Sequence, residues 1–354
     1  MTVAGLRSIG WWLPERRDSA RELERAYGLR EAALDGVGLV TKAVAGDGDH
    51  PSTMGARATR AALDAAQLAP DQLDLLIFTG VTKDWPPPWV AAFGVLHELG
   101  ATRAAGFDLS NRCAGVLDAL WLAKLLVESG THRHVAVCCA ERFDYLLGPD
   151  RRPEAVTDAM FGAGAATAIV SAGAANAIAA FSSVTNPDLS VHRAAGPIAG
   201  GSRRPLHRAA LDDDAQRWRA QLSIQDAQQI ARFSADADRH NYAAIRRQAG
   251  FDAIDFVACS PLYPEPQLRV LAELGVAAGS MLFTIPRLGH IGGADLLLIL
   301  GVAIAAGRPL GRRIVCSLRT NVVGSALAIR GTGDAPGIAV AGHGIDLRPW
   351  QRGD

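Results

Sequence analysis

The sequence predicts a layered α/β fold made of two pseudo-symmetric halves, and three observations lead there. Short apolar runs alternate with helical patterns along all 354 residues, the order expected when strands and helices pack in layers. The segments CAGVLDALWLAKLLVESG (113–130) and HIGGADLLLILGVAIAAG (290–307) superpose without a gap at an offset of 177 residues. Gly115 falls on Gly292, Asp118 on Asp295, Leu120 on Leu297 and Gly130 on Gly307, and the same offset carries His290 onto Cys113. Finally, ARATRAALDAAQLAPDQLDLLIFTG (56–80) and YAAIRRQAGFDAIDFVACSP (242–261) share an order of helix, short turn and buried strand. A duplication of this kind gives each half one helix N-terminus to contribute to a shared site. Two Ala/Leu-rich helices also match by chance, and four positions weigh against chance only weakly.

In chain order, the strand candidates are LDLLIFTG (73–80), ATRAAGFDL (101–109), HVAVCCA (134–140) and AATAIVS (165–171) in the first half. IDFVACS (254–260), RRIVCSL (312–318), SALAIRG (325–331) and GIAVAGHG (337–344) follow in the second. The halves divide as 1–172 and 173–354. Between them, from about 183 to 221, Pro187, Pro197, Gly200, Gly201, Arg203, Arg204 and the acidic run Asp212–Asp214 suit an irregular connector or cap. TKDWPPPWV (82–90) is stiff and aromatic, and its Trp85 and Trp89 suit either an acyl pocket or, preferably, a dimer contact.

With 49% hydrophobic and 20% charged residues, the chain can bury a large core. Its 36 basic and 36 acidic residues cancel, so no strong field favours nucleic acid or an anionic membrane. The longest apolar run, LLLILGVAIAAG at 296–307, is shorter than the ~20 residues needed to span a bilayer and reads as a buried helix. MTVAGLRSIGWWLPERR is too broken by charge and proline for a secretory signal. Cytoplasmic location and reduced thiols are expected for the five cysteines, Cys113, Cys138, Cys139, Cys259 and Cys316. Four of them lie in or beside apolar strand candidates. No CxxC pair or spaced histidine cluster suggests a metal, and no cofactor is expected.

Cys113 is the exception. In FDLSNRCAGVLDALWLAKLLVESG (107–130) an extended segment passes through a polar turn into a helix that is expected to begin at the cysteine. Unpaired N–H groups and the helix dipole favour a thiolate there, so Cys113 is a candidate nucleophile for a covalent thioester. Most free cysteines, by contrast, are small buried hydrophobes.

The blocks FDLSNRCAG, MFGAGAATAIVSAG (160–173), IDFVACSPLYPEPQLRVL (254–271), LGHIGGADLLLIL (288–300) and VVGSALAIRG near the end resemble the thiolase-fold condensing enzymes of the ketosynthase III branch. The resemblance runs over essentially the whole chain. It implies a thiolase-like α/β/α/β/α arrangement, a homodimer, and an acyl-CoA or acyl carrier protein as donor. The chain departs from the elongating members at their auxiliary positions: in the stretch that usually carries the catalytic His stands Pro264, and His290 replaces the usual Asn. Arg319 or Thr320 stands where glycine backbone normally closes the oxyanion hole.

These departures bear on chemistry. Decarboxylative condensation needs hydrogen-bond donors on a developing enolate, and losing one donor typically costs on the order of 100- to 1000-fold. Pro264 has none to give. An oxygen nucleophile instead needs a base, which neutral His290 supplies. A smaller offshoot of ketosynthase III-like acyltransferases in natural-product pathways carries such a Cys, a His in the Asn position and an Asp five residues on. That likeness implies Cys113 as nucleophile, His290 as base and Asp295 as its orienter, moving an acyl group such as malonyl to a hydroxyl on, for example, a sugar of a polyketide. The runner-up is an ordinary carbon–carbon condensing enzyme, and a third reading is a non-catalytic thiolase-fold partner subunit.

One constraint is geometric: residues five apart on a continuous helix point about 140° away from each other. His290 and Asp295 meet only if His290 precedes the helix and folds back, which Gly292 and Gly293 permit. Asp295 alone also suits a first-turn acid on the helix dipole. Arg112, Arg203 and Arg204 are candidates for a substrate carboxylate or CoA phosphates, or surface charges. His343 could rim a pocket, and His50, His132, His134, His192, His207 and His240 are expected to be solvated.

Overall fold

A computed structural model describes residues 2–147, 156–189, 224–333 and 337–351. Its strands are β1 (Ala4–Trp12), β2 (Arg17–Ser19), β3 (Thr41–Ala43), β4 (Leu75–Phe78), β5 (Ala105–Asp108), β6 (His134–Arg142), β7 (Ala163–Ala172) and β8 (Asn176–Thr185). They continue with β9 (Phe256–Cys259), β10 (Arg313–Arg319), β11 (Val323–Arg330) and β12 (Ala339–His343). Seven helices of at least seven residues among the described ones are α1 (Ala20–Ala26), α2 (Pro51–Ala65), α3 (Ala91–Leu99), α4 (Gly115–Glu128), α5 (Ile224–Ala249), α6 (Pro264–Glu273) and α7 (Ala294–Ala305).

All strands but β2 and β3 join one ten-stranded sheet in the order β5-β4-β6-β7-β1-β8-β11-β10-β9, with β12 parallel to β1. The halves repeat their pairings: β4 runs parallel to β6, which is antiparallel to β7, as β9 is parallel to β10 and β10 antiparallel to β11. β1 and β8 meet at the centre, through Gly5 and Leu6.

Side-chain alternation sorts the strands into layers. On β4, Leu75 and Ile77 enter one core while Leu76 and Phe78 enter another; on β6, Val135, Val137 and Cys139 part from Ala136, Cys138 and Ala140. Such strands are apolar on both faces because both are covered, which is why they read as unbroken runs. The central core holds α4 and α7, the second lies under α2 and α3, and the third lies under α5 with Val257, Cys259, Val315 and Ala326. The order is therefore α/β/α/β/α, with two helices, one from each half, in the middle. Cys138, Cys139, Cys259 and Cys316 are buried strand residues, as their apolar surroundings imply.

Several expectations need correction. β1 and β8 were not anticipated: Arg7 and Ser8 interrupt the apolar pattern of β1, and Arg7 reaches the edge of α2 to bond the Ala66 carbonyl while Ser8 bonds that of Ala62. β5 is shorter than 101–109 and forms an edge of the sheet, with an exposed, intermediate, exposed, intermediate pattern. The connector expected from about 183 begins later, since β8 runs to Thr185 and a short 3-10 turn spans Pro187–Leu189. The rest of that connector, including Arg203 and Arg204, lies outside the described residues.

Candidate active site

Cys113 does not begin the helix. It lies in the turn two residues before α4, with Ala114 as the capping residue and Arg112 in the left-handed region at φ +51°. A non-glycine residue there costs on the order of 1 kcal/mol or more, strain that a site can use to aim its neighbour. The turn is tied to the helix by Asn111, whose amide donates to Asp118 at 2.7 Å. Cys113 is partly exposed, unlike the other four cysteines.

The two central helices start against each other. A Cβ at Gly293 would stand 2.6 Å from the Cys113 carbonyl oxygen, so only glycine lets the two turns approach this closely. His290 precedes α7 and is clamped by its backbone: its N–H donates to the Met160 carbonyl at 2.7 Å and its carbonyl accepts from Gly162 N–H at 2.9 Å. The edge of Phe161 meets the imidazole, centroids 5.1 Å apart. Gly292, at φ +59°, then turns the chain into the helix.

That turn solves the five-residue problem. Asp295, fully buried in the first turn of α7, accepts from Ile291 N–H at 2.9 Å and from His290 Nδ1 at 2.6 Å. With Nδ1–H engaged, Nε2 faces Cys113 Sγ at 3.8 Å. The structure thus brings Cys113, His290 and Asp295 into one line of nucleophile, imidazole and carboxylate.

Burial pulls the His290 pKa down, but the charge of Asp295, its hydrogen bond and Cys113 together outweigh burial and raise it above the ordinary histidine value. Nε2 is thus held as a hydrogen-bond donor facing the sulfur.

Two residues of the site were missed by the sequence reading. Ser260, the first residue after β9, has its Oγ 3.3 Å from His290 Nδ1 and donates to Asp295 Oδ2. At the end of this strand it is Ser260, not Pro264, whose side chain reaches His290 and Asp295: Pro264 opens α6 at its first turn, where proline's missing N–H costs nothing. The available signal was the end of the parallel strand, since sites gather at the carboxyl ends of such strands. The second is Glu141, fully buried at the end of β6, which burial pushes up to about 7.

Thr320 is corrected as an oxyanion candidate. Its N–H donates to the Val323 carbonyl at 2.7 Å, closing the β10–β11 turn, while the Arg319 side chain turns to Asp238 at 3.0 Å. His343 stacks on Trp12 at 4.2 Å, beside a cleft it lines with Arg57 and Arg60. No group of three or more His, Cys, Asp or Glu side chains suited to a metal ion occurs among the described residues, and no described helix is long and apolar enough to cross a membrane.

The fold is that of the solved thiolase-like 3-oxoacyl-[acyl-carrier-protein] synthase III structures. It superposes on the crystal structure of 3-oxoacyl-[acyl-carrier-protein] synthase III from Aquifex aeolicus VF5 with a TM-score of 0.75 at 20% identity, covering 92% of this chain and 99% of that one. The sequence model for 3-oxoacyl-[acyl-carrier-protein] synthase III matches residues 107–187, the segment that carries Cys113. The chain is 29% identical over 322 residues to acetoacetyl CoA synthase NphT7 of Streptomyces sp. strain CL190, covering 87% of this chain and 92% of that protein. It is 31% identical over 173 residues to beta-ketoacyl-[acyl-carrier-protein] synthase III of Aliarcobacter butzleri, a match that spans 49% of this chain and 51% of that protein.

Proposed function

We propose that the protein transfers an acyl group from an acyl-CoA or acyl carrier protein through a thioester on Cys113 to a hydroxyl acceptor. The observation that carries the proposal is the alignment of Sγ, Nε2 and the Asp295 carboxylate, at 3.8 and 2.6 Å. In the first half-reaction the Cys113 thiolate attacks the thioester carbonyl; as the tetrahedral adduct collapses, the donor's sulfur leaves and takes the Nε2 proton. His290 is then neutral. In the second, Nε2 accepts the acceptor's hydroxyl proton, the oxygen attacks the acyl carbonyl, and Cys113 leaves as thiolate beside a renewed imidazolium. Neither step calls for a cofactor beyond the acyl donor. A malonyl-type acyl group and a sugar hydroxyl of a natural product remain the specific form of the proposal.

The names of the relatives favour a second reading, carbon–carbon condensation. That chemistry replaces the hydroxyl with a carbanion released by decarboxylation, which requires donors on the thioester oxygen. His290 Nε2–H is one donor, whereas the Ser260 hydroxyl is committed to Asp295. Incubation with malonyl-CoA separates the readings: acyl transfer predicts a malonylated Cys113 with carbon dioxide release no faster than without enzyme. Rapid release would establish condensation instead.

A homodimer through the β5 edge is part of this proposal. Phe107 on β5, Phe93 on α3 and Trp85 are 37%, 58% and 64% exposed, and an unpaired edge beside exposed aromatics suits a second copy. Sedimentation is expected to give twice the chain mass; a particle of 37.2 kDa would refute it.

A further inference from the structure

We infer that Glu141 is a positioning residue for His290, acting through the Gly292 turn. The proposal rests on the reading of Cys113 and His290 as a reacting pair, and not on the nature of the acceptor. Glu141 is the next-to-last residue of β6 and has no exposed surface. One carboxylate oxygen accepts from Val81 N–H at 2.8 Å; the other accepts from Thr82 N–H at 2.9 Å and from the Thr82 hydroxyl at 2.7 Å. The Thr82 oxygen in turn accepts from Arg142 N–H at 2.9 Å, so the loop after β4 is closed onto the end of β6.

The same carboxyl group packs against the turn that carries the histidine. A Cβ on Gly292 would lie 2.8 Å from Glu141 Oε1 and 3.1 Å from its Cγ. Gly292 stands two residues after His290 and three before Asp295, inside the loop that folds the imidazole back onto the carboxylate. A rigid, fully bonded group at this place limits where the turn can sit, and through it where Nε2 points. The 3.8 Å separation from Sγ leaves little room for drift before the pair is lost.

The charged neighbours are accounted for. His290 bears on Glu141 through charge, and Cys139 lies close enough on β6 to feel it. The Arg142 side chain turns away to Asp144 and to the Gly46 and Asp49 carbonyls. The hydroxyl of Tyr145 accepts from Lys83 N–H. Among the described residues no cationic side chain pairs directly with Glu141, and its bonds are those of a brace between two loops.

The discriminating substitution is Glu141→Gln. It keeps the shape but puts an amide donor against either Val81 N–H or the Thr82 donors, so one bond must break. Thr82→Val, which removes only the hydroxyl, is the milder companion should Glu141→Gln fail to fold. The readout is the rate of Cys113 alkylation by iodoacetamide as a function of pH, with thermal unfolding measured alongside. The inference predicts that each variant that folds moves the alkylation profile toward higher pH and slows alkylation at pH 6.5, Glu141→Gln by on the order of tenfold and Thr82→Val less. It also predicts that a second substitution, His290→Ala, removes the difference between Glu141→Gln and the parent. Unchanged alkylation profiles in folded Glu141→Gln and Thr82→Val proteins would overturn it, as would an effect of equal size in the His290→Ala background. If alkylation behaves as expected but no acyl donor loads Cys113, the positioning role stands and the proposed transfer falls.

Discussion

Cys113→Ala is expected to abolish both self-acylation and transfer while leaving the fold in place. The substitution removes one sulfur from a partly exposed turn, and the central core that surrounds α4 is supplied by Val116, Leu117, Leu120 and the strands beneath them. A loss of about 1 kcal/mol of stability is the scale for such a truncation. Activity depends on the sulfur outright, since no other cysteine among the described residues is even partly exposed. Deleting the nucleophile of a catalytic set typically costs on the order of 10⁴-fold or more. Activity within tenfold of the parent, in a protein with an unchanged unfolding temperature, would show that transfer does not pass through this thioester.

His290→Ala is expected to divide the two half-reactions. Cys113 keeps its place in the turn before α4, so the acyl-enzyme forms, more slowly for want of the imidazolium and its proton. Transfer to a hydroxyl, whose pKa lies far above neutrality, loses its base and slows by ~100-fold or more. The acyl-enzyme therefore accumulates. Asp295→Asn should give a milder form of the same behaviour, with a pH signature whose sign follows from the raised His290 pKa. Removing the carboxylate removes the charge and bond that raise it, so the imidazolium gives up its proton at lower pH than in the parent. Cys113 then loses its cationic partner in the neutral range, and its alkylation profile moves to higher pH. The linked stability runs in the same direction: the pair's contribution is full below the unfolded value of ~6.5 and fades as the pH rises through the raised folded value. If His290→Ala fails to load yet unloads normally when supplied as acyl-enzyme, the roles assigned to His290 are wrong.

Much of this architecture is legible in the sequence because strands buried on both faces cannot hide. LLIF of β4 and VAVCCA of β6 are apolar at every step, and the 177-residue repeat marks the two central helices. The same repeat puts Cys113 and His290 in equivalent turns, and the glycines at 292 and 293 announce that the second turn can fold back. What stays hidden depends on distant chain. β1 carries Arg7 and Ser8 because their polar ends find carbonyls on α2, a circumstance no local pattern records. Ser260 looks like any residue leaving a strand, and only the fold places its hydroxyl between His290 and Asp295. Glu141 is a lone acid at the end of an apolar run; its burial becomes sensible only when the Val81 and Thr82 amides arrive from 60 and 59 residues away. Pro264, in a conspicuous Pro-rich segment, lies four residues past the side chain that reaches the site and opens α6 instead.

The central claim is a covalent acyl group on Cys113 that His290 helps to discharge. It is tested most directly by an intact-mass time course of the parent protein, His290→Ala and Cys113→Ala mixed with malonyl-CoA, followed by peptide mapping of any adduct. The account predicts a transient mass gain on the peptide holding Cys113 in the parent, a persistent one in His290→Ala and none in Cys113→Ala. No adduct in the parent with malonyl-CoA or any other acyl-CoA or acyl carrier protein donor, or an adduct that survives Cys113→Ala, would contradict it.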